Sequence, residues 1–375
     1  MDFELNDEQV MLRDTVRDVL SKTYDIETLR AVTDTERGWD PKVWRSLADI
    51  GILGLTIAEA DGGMGAGPVE LGAVLGEFGR SLAPEPYLNA VVIPASLISD
   101  TAEGTLREEL LGGLASGDLL MAYAHTEEGD RWPAAAVATT ASGSGDAVTL
   151  TGTKTTVLAG DSADRFVVSA RDDGGNLGLY VVDADADGVT RTPFRTHDRR
   201  RGAQVAFASA PAARLGGGDA AAAVTRADVL AQTALCAEAV GAMEKALTLT
   251  VEYLKTRKQF GVTLSTFEAL THRAADMYVL LELAQSMSAY ATGILAEGGA
   301  DEIVASRAKL QICRSGRQIG QEAIQMHGGI GMTAEYPVGH YVSRLTAISH
   351  TLGDAESHLT NLAESINDWD TVSIG

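Results

Sequence analysis

Apolar residues recur at the period of an amphipathic helix from residue 5 to about residue 113. Glycine and proline, which interrupt helices, concentrate at Gly62-Gly63 and at Pro84-Glu85-Pro86. Between these points the apolar positions lie three to four residues apart, as in Val10, Leu12, Val16 and Leu20. The pattern predicts an α-helical N-terminal domain over residues 1–117.

The pattern changes near Asp118, where glycine, threonine and valine become frequent and apolar runs become short. Runs such as Val148-Thr149-Leu150 predict strands. The segment Asp172-Asp173-Gly174-Gly175-Asn176 separates Phe166–Ala170 from Leu177–Val182 and has the residues of a hairpin turn. We therefore predict a middle domain over residues 118–215 that is an antiparallel β-sheet or barrel.

Gly216-Gly217-Gly218 ends the middle domain, and Asp219 is placed to cap the next helix. Four long helical patterns follow, which predict a C-terminal four-helix bundle over residues 219–375. One of them alternates spacings of four and three, as antiparallel helices do: Leu270, Ala274, Met277, Leu281, Ala284, Ser288, Ala291 and Leu295. The whole is an α+β multidomain protein in the order helices, sheet, helices.

The charge, the cysteines and the hydropathy of the chain argue against several classes of function. The 375 residues carry 30 Lys plus Arg against 52 Asp plus Glu, a net charge of −22, which argues against nucleic acid or an anionic membrane as partner. Cys236 and Cys313 lie far apart within apolar helical patterns, which predicts buried free thiols and a reducing compartment. The acidic start and the lack of an 18-residue uncharged apolar run predict a cytoplasmic protein without membrane insertion.

Two segments of the predicted bundle carry the most specific pattern. The first is Arg257-Lys258-Gln259-Phe260-Gly261, and the second is Gln325-Met326-His327-Gly328-Gly329-Ile330-Gly331-Met332. Weaker matches are Gly51–Leu55, Asp61-Gly62-Gly63 and Gly152-Thr153-Lys154. On these segments the chain resembles the acyl-CoA dehydrogenases nearly from end to end.

The resemblance implies that both segments reach across a subunit interface and hold the adenine-diphosphate half of an FAD bound by a neighbouring protomer. The chemistry agrees, because arginine presents a planar fork of donors to a pyrophosphate and glycine lets backbone N–H groups approach. His327 is interpreted as a core or interface histidine, and neither a catalytic residue nor a metal site is expected in this chain. The expected FAD contacts are Arg257, Gln259, Phe260, Gln325, Gly328 and Gly329.

The chain departs from the family where a protomer builds its own active site. In the family a glutamate takes the proton α to the thioester carbonyl, but Leu352 stands in its place here, and Ala231 stands at the position that other members use. Asp354 and Glu356 lie near, although a displacement of one residue turns a helical side chain by about 100°.

Two segments that would cradle the flavin are also altered. His125–Asp130 lacks the family's proline and the glycine-serine that follows it, and Thr155-Thr156-Val157 replaces a tryptophan-isoleucine-threonine strand. Arg199-Arg200-Arg201 could meet the phosphates of CoA, but a solvated loop is the preferred interpretation.

The half of the site that a protomer lends is therefore intact, whereas the half that it builds for itself is not. This asymmetry resembles the base-lacking subunit of actinobacterial α2β2 acyl-CoA dehydrogenases, which hold one FAD per heterodimer and several of which act on CoA esters of steroid side chains. The resemblance implies an acyl-CoA substrate, a second family subunit that supplies the glutamate, and an electron-transfer flavoprotein as acceptor. Two alternatives stay open: a self-sufficient homotetramer with a displaced base, and a non-catalytic scaffold.

Overall fold

The computed structural model describes residues 4–129, 132, 137–145 and 147–366. The first part of the chain is helical, as predicted. A π-helical turn over Leu88–Val92 leads into its fifth helix, and Asn6 starts the first helix with a capping box shared with Gln9. The helices are α1 (Asp7–Thr23), α2 (Ile26–Thr33), α3 (Pro41–Asp49), α4 (Pro68–Ser81), α5 (Ile93–Thr101) and α6 (Gly104–Ser116).

The middle of the chain is a seven-stranded sheet that closes on itself. Its hydrogen-bonded order is β1-β4-β2-β3-β7-β5, β6 pairs with β7, and β4 also pairs with β5, so that the path returns to form a barrel. Inward side chains such as Phe166, Val168 and Phe207 form its own apolar core. The strands are β1 (Met121–Ala124), β2 (Thr140–Ser142), β3 (Val148–Leu158), β4 (Arg165–Arg171), β5 (Leu177–Asp183), β6 (Val189–Arg195) and β7 (Arg201–Leu215).

The predicted hairpin is present, and one detail of the sheet corrects the prediction. Strands β4 and β5 pair antiparallel with Phe166 opposite Val182, and the N–H of Gly175 donates to the Asp172 carbonyl oxygen at 2.8 Å. Strand β1, however, runs parallel to β4, with Met121 opposite Arg165. The sheet is therefore not wholly antiparallel, because the chain passes through β2 and β3 before it returns beside β1.

The C-terminal part is helical. The stripe predicted over residues 270–295 lies on α8, where its central members Met277, Leu281 and Ala284 are buried. The N-cap of α7 is Ala220, one residue after the predicted cap Asp219, although Asp219 still accepts a hydrogen bond from the N–H of Ala221 at 2.8 Å. Helices α7 to α10 correspond to the four predicted patterns, and a further helix packs on α9. They are α7 (Ala221–Thr256), α8 (Glu268–Ala296), α9 (Glu302–His327), α10 (Val338–His350) and α11 (Ala355–Glu364).

Four charged side chains in the interior, two of them in buried residues and two in half-buried ones, join the three parts of the chain. Arg344 of α10 donates to both carboxylate oxygens of Glu238 on α7, at 2.8 and 2.7 Å, and to Oδ2 of Asp198 at 2.8 Å. Arg200 donates to Glu238 Oε1 at 2.8 Å and to the carbonyl oxygen of Ala83 at 2.9 Å. We call Asp198, Arg200, Glu238 and Arg344 the interdomain ion network. Its formal charges sum to zero, as buried charges require.

The network also shows what the run Arg199-Arg200-Arg201 contacts. The Arg200 side chain is 14% exposed, so the expected solvated loop is wrong for this residue. Arg199 lies 3.3 Å from Asp34, and Arg201 donates to the carbonyl oxygen of Thr35. The run therefore attaches the turn between β6 and β7 to the N-terminal helices, and these contacts do not favour a role in binding CoA phosphates.

Candidate functional site

The first motif lies at the end of α7. The N–H of Arg257 donates to the Tyr253 carbonyl oxygen at 2.8 Å, and the chain then forms a hairpin of β8 (Lys258–Gln259) and β9 (Val262–Thr263). Phe260 and Gly261 at its tip have φ of 53° and 83°, as a type I′ turn requires. Phe260 is 90% exposed. An apolar side chain is thus held outward on a backbone conformation that non-glycine residues rarely adopt.

The second motif lies at the end of α9. That helix ends at His327, and Gly328 (φ 64°) starts a 3-10 turn over Gly328–Met332. A Cβ built on Gly328 or Gly329 would meet no atom within 4 Å, so the backbone here is open to another molecule. Gln325, on the last turn of α9, is also exposed.

An aromatic cluster brings the two motifs together. The ring of Tyr253 on α7 lies 4.5 Å from that of His327 on α9, and Tyr336 packs against both at 6.2 and 4.9 Å. Nδ1 of His327 lies 2.7 Å from the Ala323 carbonyl oxygen, and burial lowers the pKa of this imidazole. His327 is therefore a neutral core histidine, in agreement with the prediction, and it holds the ends of the two helices side by side.

The residues around this cluster fit an anionic group presented from outside. Within the described part of the chain, the guanidinium of Arg257 and the amide groups of Gln259 and Gln325 make no hydrogen bond or ion pair. All three side chains are exposed. A charged fork of donors beside open glycine backbone matches the chemistry of a pyrophosphate. These residues therefore form a candidate site for a diphosphate.

The loop between α10 and α11 carries no proton acceptor at the expected position. Leu352 (φ 54°) and Gly353 (φ 91°) both adopt left-handed conformations. Nζ of Lys309 donates to the carbonyl oxygens of Ile348 and Gly353 at 2.7 and 3.2 Å. Nε2 of His358 lies 3.0 Å from the carbonyl oxygen of Leu352. The loop is therefore fixed by buried polar groups of α9 and α11.

Neither nearby carboxylate replaces the missing base. Asp354 is the N-cap of α11 and accepts from the N–H and Oγ of Ser357, both at 2.8 Å. These hydrogen bonds lower the pKa of Asp354, so it holds a proton less readily than an ordinary aspartate. Glu356 is exposed on the first turn of α11, and Ala231 is 1% exposed inside α7.

The altered flavin-cradle segment is engaged in internal contacts. Glu127 accepts from Lys154 Nζ at 2.7 Å and from the N–H groups of Ala138 and Thr139 at 2.7 and 2.9 Å. Burial alone would raise the pKa of Glu127, but these hydrogen bonds lower it to about 2. Trp132 lies further along the same segment, with its ring centroid 4.2 Å from that of His358.

Known proteins resemble this chain over nearly its whole length. Family models for acyl-CoA dehydrogenases match the chain in order: the N-terminal domain over residues 6–118, the middle domain over 122–207 and the C-terminal domain over 229–367. The chain is 30% identical to the acyl-CoA dehydrogenase FadE27 of Mycobacterium tuberculosis, over 98% of this chain and 99% of that protein. The chain belongs to the acyl-CoA dehydrogenase family.

Solved structures of acyl-CoA dehydrogenases include heteromeric relatives. The ChsE4-ChsE5 complex from Mycobacterium tuberculosis has a chain 29% identical to this one, with a TM-score of 0.90 over 99% of this chain and 100% of that one. A Tcur3481-Tcur3483 steroid ACAD variant is 33% identical, with a TM-score of 0.88 over 96% and 98%. Acyl-CoA dehydrogenases are oxidoreductases that act on acyl-CoA and bind FAD. The predicted family and fold are confirmed.

In this acyl-CoA dehydrogenase, a broad apolar surface lies around the two motifs and on α8. Among the described helices, α8 alone is long and apolar enough to span a membrane, a test that core helices of soluble proteins also pass. In the single chain, 22% of its most apolar window is buried. We expect another protein surface to bury the exposed face of α8, the hairpin and the turn after α9. The large exposed apolar side chains of these elements are Phe260, Val262, Phe267, Tyr278, Val279, Leu283, Ile330 and Met332.

Sequence reasoning missed several residues that shape this site. Tyr253 and Tyr336 join the motifs, Lys309 fixes the loop after α10, and Trp132 packs on that loop. Lys309 could have been found, since a lysine on the same helical face as Ala305 and Ile312 interrupts an apolar stripe. The other three have no local signal in the sequence.

Proposed function

We propose that this chain is one subunit of an FAD-dependent acyl-CoA dehydrogenase that introduces an α,β double bond into an acyl-CoA thioester. It contributes FAD contacts across an interface, and a second family subunit supplies the catalytic glutamate. The observation that supports this division is an asymmetry within one chain. The exposed donors around Arg257 have no partner among the described residues, whereas the loop that should carry the base presents Leu352.

When bound, FAD would supply the acceptor for the hydride that leaves the β carbon of the thioester. The residues of this chain have a supporting role in that reaction. Arg257 and Gln325 offer side-chain donors to a diphosphate, and the N–H groups at Gly328 and Gly329 can approach it without steric hindrance. Leu352 and Ala231 cannot take a proton, so the proton from the α carbon must go to a carboxylate of the partner.

Two further observations favour an unlike subunit as partner. The exposed apolar side chains of α8 and of the Phe260 hairpin, such as Phe260, Tyr278 and Leu283, favour a protein partner on this face. Relatives that resemble this chain over nearly its whole length were solved as a complex of two differently named chains, ChsE4 and ChsE5. We propose an α2β2 assembly with one FAD per pair, a CoA ester of a steroid side chain as substrate, an electron-transfer flavoprotein as acceptor and the cytoplasm as location.

The test is co-expression with a second acyl-CoA dehydrogenase subunit that carries the glutamate. The tagged chain is purified alone and with the partner, and flavin absorbance per pair and acyl-CoA dehydrogenation are measured. We expect bound flavin and activity only when the two subunits are co-expressed. Arg257→Ala should weaken FAD retention at least tenfold, since removing one partner of a charged hydrogen bond costs about 2 kcal/mol or more. Arg13→Ala, on the distant helix α1, is the matched control.

Each alternative has its own outcome. A yellow, active protein from this chain alone would establish the self-sufficient enzyme and overturn the two-subunit proposal. Normal flavin content and activity in a complex that carries Arg257→Ala would instead indicate a scaffold whose FAD contacts are not used.

A further inference from the structure

We propose that Trp132 closes the site in which this chain would otherwise hold an isoalloxazine ring and a thioester. The inference rests on the proposed function, because it concerns the half of the site that this chain has lost. It explains how the chain can keep the family fold without keeping an empty flavin site. We call Trp132, Gly353 and His358 the Trp132 contact.

The indole packs directly on the loop where the family carries its base. A Cβ built on Gly353 would lie 2.6 Å from Cε3 of Trp132 and 2.7 Å from Nε2 of His358, both closer than real contacts allow. The rings of Trp132 and His358 have centroids 4.2 Å apart and are tilted by 42°. No room for a planar ligand remains between Trp132 and the loop.

The surface beneath the indole is rigid. Lys309 Nζ holds the carbonyl oxygen of Gly353 at 3.2 Å, and His358 holds that of Leu352 at 3.0 Å through Nε2. The other ring nitrogen of His358 lies 3.2 Å from Ser306 Oγ, and the residue is fully buried. Trp132 therefore packs on a loop that residues of α9 and α11 hold in place.

A small cavity lies between the middle and the helical parts of the chain, near the loop that carries Thr351. Its volume is about 50 Å³, and the end of β3, the end of α10 and the π-helical turn before α5 line it, with Leu158, Ala159, Ala347 and Thr351 in its wall. That volume holds a few water molecules. Cofactor and ligand pockets have volumes of about 300 Å³ or more. A cavity of this size does not hold a flavin ring.

The contact is apolar in character. Nε1 of Trp132 is buried without a hydrogen-bond partner among the described residues. A tryptophan that served a polar network would bring its N–H to an acceptor. Its indole instead fills space with an apolar surface. The neighbouring imidazole of His358 adds no charge, because burial lowers its pKa to about 4.

The experiment uses the co-purified complex and indole as the probe. Trp132→Ala should lower the Tm of this subunit by several degrees, and millimolar indole should restore part of that loss, because the truncated site keeps the shape of the missing ring. Indole should leave the Tm of the wild type and of Trp132→Phe unchanged. If Trp132→Ala does not fold, Trp132→Leu is measured instead and should show a smaller loss of Tm.

The outcomes separate this inference from the proposed function. A Trp132→Ala complex with wild-type Tm and no response to indole overturns the Trp132 contact, as does a Trp132→Leu complex with unchanged Tm. In either case one flavin per pair would leave the proposed function intact. Flavin bound by the wild-type chain alone would overturn both, since the ring would then occupy the site that Trp132 is proposed to fill.

Discussion

Glu238→Gln tests whether the interdomain ion network stabilises the chain. Glu238 accepts from Arg344 through both oxygens and from Arg200 through Oε1, and its side chain is 2% exposed. The substitution keeps the shape but removes one negative charge. Asp198 then faces two buried guanidinium groups, and one of the two positive charges is left without compensation.

The expected loss of stability in Glu238→Gln follows from the burial of this side chain. Removing one member of a buried ion pair costs about 3 kcal/mol, whereas an exposed pair contributes below about 1 kcal/mol. With an unfolding entropy of about 2.1 cal/mol/K per residue, that loss lowers the Tm of a 375-residue chain by about 4 °C. The pKa of Glu238 is lowered by Arg200 and Arg344 against the effect of burial. Its contribution is therefore complete above the unfolded value of about 4.3 and is lost as the pH falls through the lower folded value.

The assay is thermal unfolding of the complex at pH 7 in low and high salt. Asp18→Asn is the control, because Asp18 pairs with Lys22 at 2.8 Å on the surface, where both side chains are about 70% exposed. We expect the control to shift the Tm by less than 1 °C and the effect of Glu238→Gln to persist in salt. A Tm for Glu238→Gln within 1 °C of the wild type would refute the argument that this network holds the domains together.

Three further predictions concern the site and its loop. Asp354→Ala should cost about 1 kcal/mol of stability through the lost N-cap, measured by urea unfolding, and should leave the activity of the complex unchanged; a large loss of activity with normal flavin would restore Asp354 as a base. Phe260→Gly should relieve about 1 kcal/mol of left-handed strain in the chain while lowering flavin retention in the complex, and unchanged flavin content would count against a cofactor contact. His358→Gln should flatten the pH dependence of stability: the folded pKa of His358 is about 4 against about 6.5 unfolded, so the wild type should lose about 2 kcal/mol between pH 7.5 and 5, and equal slopes for both proteins would contradict this.

The features that the sequence predicted are local ones. The stripe on α8 and the turn at Asp172–Asn176 follow from residues within one element or one loop, where period and turn chemistry act directly. The two motifs are also contiguous segments, which the structure places in exposed positions at two helix ends, and their contact with FAD stays a prediction. Cys236 and Cys313 are free and buried, as expected.

The features that the sequence did not predict depend on distant partners. The parallel pairing of β1 with β4 joins residues more than 40 positions apart. Arg200 and Arg201 look like a solvated charge run until Glu238 and Thr35 are placed beside them by the packing of three domains. Trp132 is one aromatic residue in an irregular segment, and nothing near it in the sequence indicates Gly353 as its neighbour.

Helix α7 imposes a geometric limit on how this subunit can change. It runs for 36 residues without interruption, about 54 Å, and it holds Glu238 in the interior while Arg257 follows at its end. Nineteen positions separate these two residues, a span of about 28 Å. Deleting a single residue between them would swing the arginine by about 100° and draw it back by about 1.5 Å. A substitution within α7, such as one at Ala231, leaves this alignment unchanged, whereas an insertion or deletion between Glu238 and Arg257 would shift the hairpin that follows the helix.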